Sequence, residues 1–192
     1  MKKAILDKNR IEGISDGIYA IAMTLAVLSI DVDADLATHE HLLESLPGML
    51  TELRHYIVSF VAAASFWVGQ HRLMDRIRKT DTALNWIVMA HLLFIATIPA
   101  TTGVIGNFQS VLVVQIFAVN IFLISLTVVL EYYYVRNHPE LGLHEELKGN
   151  NVFSNFIILP GFSVMVFLLA WPLKDWATLL YILMPLVRRT AN

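Results

Sequence analysis

Three side chains that could bind or relay ions stand at the start of the first long apolar segment. They are Arg10, Ser15 and Asp16, and the residues from Gly17 to Leu28 that follow carry no charge. A charged group at the edge of hydrocarbon is costly unless it has a partner, so such groups either belong to an ion pathway or anchor one helix to another. The pattern predicts an ion-conducting site or a structural lock at the mouth of a membrane helix.

The composition indicates that helices crossing a bilayer position these side chains. Of the 192 residues, 56% are apolar and 16% charged, and the mean hydropathy is +0.60. About 20 apolar residues cross a bilayer as a helix, so the apolar runs predict six spans in a single all-α domain covering residues 1–192. The predicted spans are 14–32, 53–70, 83–104, 110–133, 152–170 and 173–188. The last is short for a crossing unless it tilts.

The distribution of lysine and arginine predicts the orientation of these spans. Short cytoplasmic loops collect Lys and Arg, and with six spans only Arg54 and Lys174 fall on the side opposite the other basic residues. Both termini are therefore expected in the cytoplasm. The first external loop contains Asp31, Asp33 and Asp35, which predict an acidic outer mouth that attracts cations. The alternative is an ordinary solvated loop.

The first span has two different faces when drawn as a helix of 100° per residue. One face, the aliphatic stripe, comprises Ile14, Ile18, Ile21, Leu25, Leu28 and Val32, with Thr24 on its flank. The other, the small-residue face, comprises Ser15, Tyr19, Ala22, Ala26 and Ser29. Small residues let membrane helices approach closely, so this second face is expected to pack. The stripe suits lipid, another helix or a hydrophobic constriction.

Several motifs resemble those of one family. Arg10-x-x-x-Ile14-Ser15-Asp16 resembles the R-x-x-x-F-S-D signature that opens the first helix of transmembrane protein 175, the endosomal and lysosomal potassium channel, and of its prokaryotic relatives. Trp67-x-x-x-His71-Arg72 at the end of the second span, and Asn85 in the third, are similar to that family too. One departure is visible, because the aromatic position of the signature is Ile14 here.

This resemblance implies a passive, potassium-permeable channel in the plasma membrane of a prokaryote, modestly selective for potassium over sodium. It implies a homotetramer in which four copies of the first helix surround the pore. By position, the pore constriction would be Ile21, Leu25 and Leu28, and the hydroxyl layer linked to selectivity would be Thr24. The implied partners are lipid and monovalent cations, without nucleic acid, metal or any cofactor beyond the permeant potassium ions.

The remaining polar residues are expected to hold the helices together. We expect Asp16 to accept a hydrogen bond from His71, Arg72 or the Trp67 indole, which would make the signature a lock. His91, deep in the third span, is expected to be neutral and bonded to another helix.

Two alternatives to a channel remain at this point. A membrane-embedded haem protein or enzyme subunit would use His71 and His91, but their depths in the membrane differ by about half a bilayer. No nucleophile or metalloprotease pattern is visible, so no enzymatic activity is expected. A proton-linked transporter would need carboxylates in mid-membrane, and apart from His91 the spans show no ionisable group there.

Overall fold

The computed structural model describes residues 7–30, 39–107, 110–143 and 150–189. Within these ranges the regular structure is entirely helical. The α-helices are α1 (Lys8–Leu25), α2 (His39–Asp75), α3 (Thr82–Ala96), α4 (Ile98–Asn107), α5 (Val111–Asn137), α6 (Asn150–Leu173) and α7 (Met184–Arg189). Tighter 3₁₀ segments cover Ala26–Ser29, Pro139–Leu141 and Lys174–Leu183.

The first helix ends earlier than the sequence predicts. It was expected to continue to residue 32, but its α-helical part stops at Leu25, and a 3₁₀ turn over Ala26–Ser29 leads into Ile30 in an extended conformation. At the other end, the side chain of Asp7 accepts a hydrogen bond from the backbone N–H of Asn9 and caps the helix. Val32 and the acidic residues Asp31, Asp33 and Asp35 lie outside the described residues.

The second helix begins much earlier than its predicted start at residue 53. The sequence predicts a loop with a short helical piece over residues 33–50 because Pro47 and Gly48 break helices, yet α2 is continuous from His39 through Pro47. A proline in a helix removes one backbone hydrogen bond and crowds the preceding turn. Pro47 and Gly48 are both exposed, so water can satisfy the carbonyl that loses its donor.

The third predicted span, 83–104, is divided in two. α3 ends at Ala96, Thr97 caps it, and α4 starts at Ile98. Pro99 has no N–H to continue the hydrogen-bond ladder. The Thr97 hydroxyl instead donates to the carbonyl of Phe94, at 2.7 Å. The interruption follows from Pro99 and shows that a proline can end one helix and begin another within one apolar run.

The chain reverses direction after α6. Lys174 has a left-handed backbone with φ of 52°, and beyond it the ring of Tyr181 lies 5.9 Å from that of Phe162, between centroids. A straight helix would separate these two residues by about 28 Å. After the reversal, the chain forms a 3₁₀ helix (Lys174–Leu183) and then α7. Because a 3₁₀ helix rises about 2.0 Å per residue, residues 174–189 reach further than their number suggests.

Hydrogen bonds between α3 and α5 show the relative direction of these two central helices. The Tyr134 hydroxyl donates to Asp81 Oδ2 at 2.7 Å, and the Thr97 hydroxyl donates to Asn120 Oδ1 at 3.0 Å. As residue numbers rise along α3 they fall along α5, so the two helices are antiparallel. α1 packs against both α2 and α3.

Four described segments are long and apolar enough to cross a membrane. They are Lys8–Leu28, Thr82–Gly103, Val111–Asn137 and Ile157–Leu186. The last of these contains the reversal at Lys174, and α2 is not among the four. Many large apolar side chains are exposed around the bundle, including Trp86, Leu93 and Leu168. The chain is an all-α protein with several membrane-spanning helices.

The first helix and its anchoring contacts

The two faces of α1 meet different surroundings. Ser15, Tyr19, Ala22 and Ala26 of the small-residue face are buried inside the subunit. The aliphatic stripe faces outward, and its exposed fractions are 45% for Ile14, 57% for Ile21, 45% for Leu25 and 75% for Leu28. Ile18 is half-buried. The helix therefore leaves much of its most aliphatic face exposed, apart from Ile18, which packs partly against the core.

The 3₁₀ turn aligns the outer part of this stripe. Residues three apart stand directly above one another in a 3₁₀ helix, whereas in an α-helix they are about 60° apart. The turn starts immediately after Leu25, so Leu28 is brought into line with Leu25. The early end of the α-helix thus keeps the two leucines on one exposed line.

Thr24 is exposed beside the stripe and has its hydroxyl hydrogen already engaged. Its Oγ1 lies 2.9 Å from the carbonyl oxygen of Ala20 and 3.0 Å from that of Ile21. A hydroxyl that donates to its own helix keeps its oxygen lone pairs for another group. The Thr24 oxygen can therefore accept a hydrogen bond or coordinate a cation on the exposed side of α1.

The signature residues contact one another only in part. Trp67 Nε1 donates to Asp16 Oδ1 at 2.8 Å, which joins α2 to α1. His71 stacks on Trp67 with ring centroids 5.7 Å apart, but its Nε2 lies 3.4 Å from Asp75 Oδ2. Of the three donors expected for Asp16, the structure supplies the indole.

The other signature residues lie apart from this contact. Arg10 and Arg72 are exposed. The hydroxyl of the buried Ser15 donates to the carbonyl of Ile11 at 2.9 Å. Asn85 is 5% exposed, and neither atom of its side-chain amide has a hydrogen-bond partner in the protein. The role of the whole set as a lock stays a prediction.

His91 joins three helices in the centre of the subunit. It is completely buried, with Nε2 at 2.6 Å from the Tyr19 hydroxyl of α1 and Nδ1 at 2.8 Å from Thr127 Oγ1 of α5. Thr127 donates its own hydrogen to the carbonyl of Ile124, so it must accept from Nδ1–H. In a neutral ring Nε2 then accepts from Tyr19. This geometry matches the expected neutral histidine bonded to other helices.

Glu131 is a buried ionisable group that the sequence reading missed. It is 0% exposed, and its Oε1 lies 3.9 Å from His91 Nδ1. Glu131 is thus a second ionisable group within the predicted spans, whereas the sequence predicts none in mid-membrane apart from His91. Glu131 closes an uncharged run and precedes three tyrosines, a pattern that does not by itself indicate burial. The signal that could have found it is the presence of Gln70 and Asn85, two further polar residues, in neighbouring apolar helices.

A second set of contacts lies at the opposite end of the bundle. Arg54 Nη2 of α2 lies 2.5 Å from Asp175 Oδ2, just after the reversal, and the guanidinium carbon is 4.4 Å from the centre of the Trp176 ring. The same nitrogen lies 3.2 Å from His55 Nε2. This ion pair fastens the returning segment to the outer part of α2.

The geometry defines an integral membrane protein whose first helix is anchored on one side and bare on the other. Residues 10–99 match the family model of TMEM175, described as the endosomal/lysosomal potassium channel. A protein from Streptomyces collinus named as a potassium channel is 30% identical over 103 residues, which are 53% of this chain and 49% of that protein. The chain is therefore similar to the TMEM175 family over residues 10–99, as its motifs predict, and the matched family is one of ion channels and not of enzymes.

Two further comparisons extend the similarity along the chain. The Gallus gallus protein named endosomal/lysosomal proton channel TMEM175 is 25% identical over 199 residues, covering 95% of this chain and 40% of its own length. The crystal structure of a TMEM175 homologue from Chamaesiphon minutus, titled a lysosomal potassium-selective channel, superposes with a TM-score of 0.80. It is 21% identical and is matched over 96% of this chain and 98% of that chain, so the two share a fold. The chain spans about half the length of the bacterial relatives it matches.

Proposed function

We propose that this protein is a passive, potassium-permeable cation channel with modest selectivity for potassium over sodium. In this proposal four copies of a six-span subunit assemble around α1, and the exposed aliphatic stripe lines the pore. The observation that carries it is the bare face of α1, opposite a face that is buried in its own subunit. Relatives named as potassium channels support the choice of ion.

The side chains on the bare face suit a narrow hydrophobic pore. Ile21, Leu25 and Leu28 would form successive apolar rings, at which a cation has to shed water unless the pore widens. Thr24, whose oxygen lone pairs are free of its own helix, would form a hydroxyl layer between these rings. Asp31, Asp33 and Asp35 would follow as an acidic mouth that concentrates cations.

The flank of the stripe supports an assembly of subunits better than exposure to lipid. Gly13 and Gly17 are exposed, and an added Cβ atom would meet nothing within 4 Å at either. Ala20 and Thr24 continue this line of small residues on the exposed side. Small residues permit close approach of a neighbouring membrane helix. Four identical subunits would each supply such a flank to the next.

Charge placement supports cytoplasmic termini in a plasma membrane. The basic residues Arg72, Arg76 and Arg78 follow the end of α2 that bears Trp67, whereas Arg54 lies towards the opposite end of the same helix. By the preference of Lys and Arg for the cytoplasmic side, the Asp16 end of α1 is the inner end. In the proposed pore, the aliphatic stripe of each subunit would then extend from the cytoplasmic end towards the external end.

Flux from liposomes containing the purified protein tests this proposal. A potassium gradient should drive flux without substrate or energy, and flux of sodium should be slower. Protons are measured in the same experiment because the Gallus gallus relative is named a proton channel. Absence of potassium flux from correctly assembled protein would overturn the proposal, and a mass measurement of the complex tests for four subunits.

A matched pair of variants tests whether α1 lines the pore. Leu25→Ser should increase leak and reduce selectivity, because a polar ring lowers the barrier to a hydrated ion. Leu168→Ser is the control, since Leu168 is 65% exposed on α6, away from α1. Equal effects of the two substitutions would contradict a pore lined by α1.

A further inference from the structure

Three polar side chains from three helices are buried without enough partners. Gln70 of α2 is 2% exposed, Asn85 of α3 is 5% exposed and Glu131 of α5 is 0% exposed. Among the described residues, both amide atoms of Gln70, both amide atoms of Asn85 and both carboxyl oxygens of Glu131 lack a hydrogen bond of strict geometry. Such groups are rare in native proteins, and each of them calls for a partner.

The three side chains lie at one level of the bundle. The side-chain amide of Gln70 lies next to the carboxyl group of Glu131, although the two do not meet the strict geometry of a hydrogen bond. Along the antiparallel pair of α3 and α5, the Asp81–Tyr134 contact lies on one side of Glu131 and the His91–Thr127 contact on the other. Asn85 lies between Asp81 and His91, so the two contacts confine it to the same level as Glu131.

Neighbouring groups do not satisfy this cluster. The two ring nitrogens of His91 are already bonded to Tyr19 and Thr127, and Nδ1 is 3.9 Å from Glu131 Oε1, beyond hydrogen-bond distance. No lysine or arginine of the described ranges lies within ion-pair distance of Glu131. Among the described residues, no side chain supplies the missing hydrogen-bond partners of Glu131 and Asn85.

The chemistry of the three side chains selects water rather than a cation. Gln70 and Asn85 each offer two N–H donors as well as an acceptor oxygen, and Glu131 adds acceptor oxygens. A cation would satisfy the oxygens but would be repelled by the two amide NH₂ groups. Water donates and accepts, and buried waters commonly make about three hydrogen bonds to groups of this kind.

We propose that Gln70, Asn85 and Glu131 enclose an internal water site that joins α2, α3 and α5 within each subunit. Bridging waters are nearly as favourable as direct hydrogen bonds, so the site stabilises the packing of these three helices. His91 lies at its edge and contacts Tyr19 of α1, so the waters lie behind the helix that bears the aliphatic stripe. The proposal does not depend on conduction.

An experimental density map of the wild-type protein in lipid nanodiscs tests the site directly. We expect water peaks within hydrogen-bond distance of at least two of the three side chains. Direct pairing of the side chains with no intervening peak would overturn the proposal. A thallium peak among them after exchange of potassium for thallium would also overturn it, because that result would define a cation site.

Thermal unfolding of two variants provides a second test. Glu131→Gln keeps hydrogen-bonding capacity and should unfold near the wild-type temperature, whereas Glu131→Leu should unfold several degrees lower because it deprives the waters of a partner. If the site holds no water, Glu131→Leu should unfold at or above the wild-type temperature, since removing an unsatisfied buried group is neutral or stabilising. Glu140→Leu, at an exposed position, is the control and should leave the temperature unchanged. If Glu131→Leu does not fold, the density map still decides.

Discussion

The two faces of α1 share one backbone but differ in their side chains and in their partners. On one face Tyr19 is completely buried and reaches His91. On the other, Leu28 is 75% exposed. The buried face is constrained by packing inside the bundle, whereas the largely exposed face is constrained less by it. The comparison predicts that substitutions on the two faces affect different measurements.

The largest expected effect on stability is at the buried face. Tyr19→Ala removes a fully buried ring and its hydrogen bond with His91, and such truncations cost about 3–5 kcal/mol. Thermal unfolding in detergent should therefore shift strongly downwards. Leu28→Ala on the exposed face should change the unfolding temperature far less, and a comparable shift for both would break the distinction between the faces.

The Asp16–Trp67 hydrogen bond is expected to have an intermediate effect. Trp67→Phe removes the indole donor and should destabilise the subunit by about 1 kcal/mol, the usual value for a hydrogen bond. A double-mutant cycle with Asp16→Ala should show coupling, since the second substitution then removes a partner that is already lost. Chemical unfolding of the purified protein measures both.

Asp16→Asn separates anchoring from ion binding at the same position. It keeps an oxygen that accepts from Trp67 Nε1, so assembly and potassium flux should both survive. A variant that assembles normally but no longer conducts would show that the charge of Asp16 serves the ion path, and the lock would be the wrong interpretation.

A smaller effect is expected at the opposite end of the bundle, away from α1. Arg54→Met removes the ion pair with Asp175 and the contact with Trp176. Partly exposed ion pairs contribute up to about 1 kcal/mol. The unfolding temperature should fall slightly while the potassium-to-sodium ratio stays unchanged. Lys174→Met is the control, and a change in selectivity with Arg54→Met alone would extend the functional region beyond α1.

Helical periodicity was enough to predict which residues of α1 share a face. Tyr19 and Ala22 were assigned to packing and Leu25 to the open stripe, because a 100° repeat separates them whatever surrounds the helix. Periodicity could not predict that the α-helix tightens after Leu25, since that depends on contacts with α4. The family resemblance came from short motifs around Asp16 and Trp67, and the comparison with TMEM175 confirms it.

Two misses have a common physical origin, which is that the effect of a residue depends on its surroundings. Pro47 was read as a helix breaker, but an exposed proline costs one hydrogen bond that water replaces, and α2 continues. Glu131 ends an apolar run and carries no sequence signal of burial, but the neighbouring helices bury it completely. Both outcomes depend on tertiary packing that a single sequence does not state.

The smallest expected effect on stability, and the most informative for function, is at Thr24. Thr24→Val has nearly the same shape, and the lost hydroxyl is exposed and bonded only to its own helix, so the unfolding temperature should stay at the wild-type value. If this oxygen faces the pore, the potassium-to-sodium permeability ratio measured by bi-ionic reversal potentials should fall, and Thr24→Ser should restore it. If Thr24→Val has the wild-type permeability ratio, the Thr24 hydroxyl does not contribute to selectivity. Selectivity would then depend on the aliphatic rings. Because Thr24 is exposed, neither substitution disturbs the buried face of the helix, so a fall seen with valine but not with serine would be attributed to the hydroxyl.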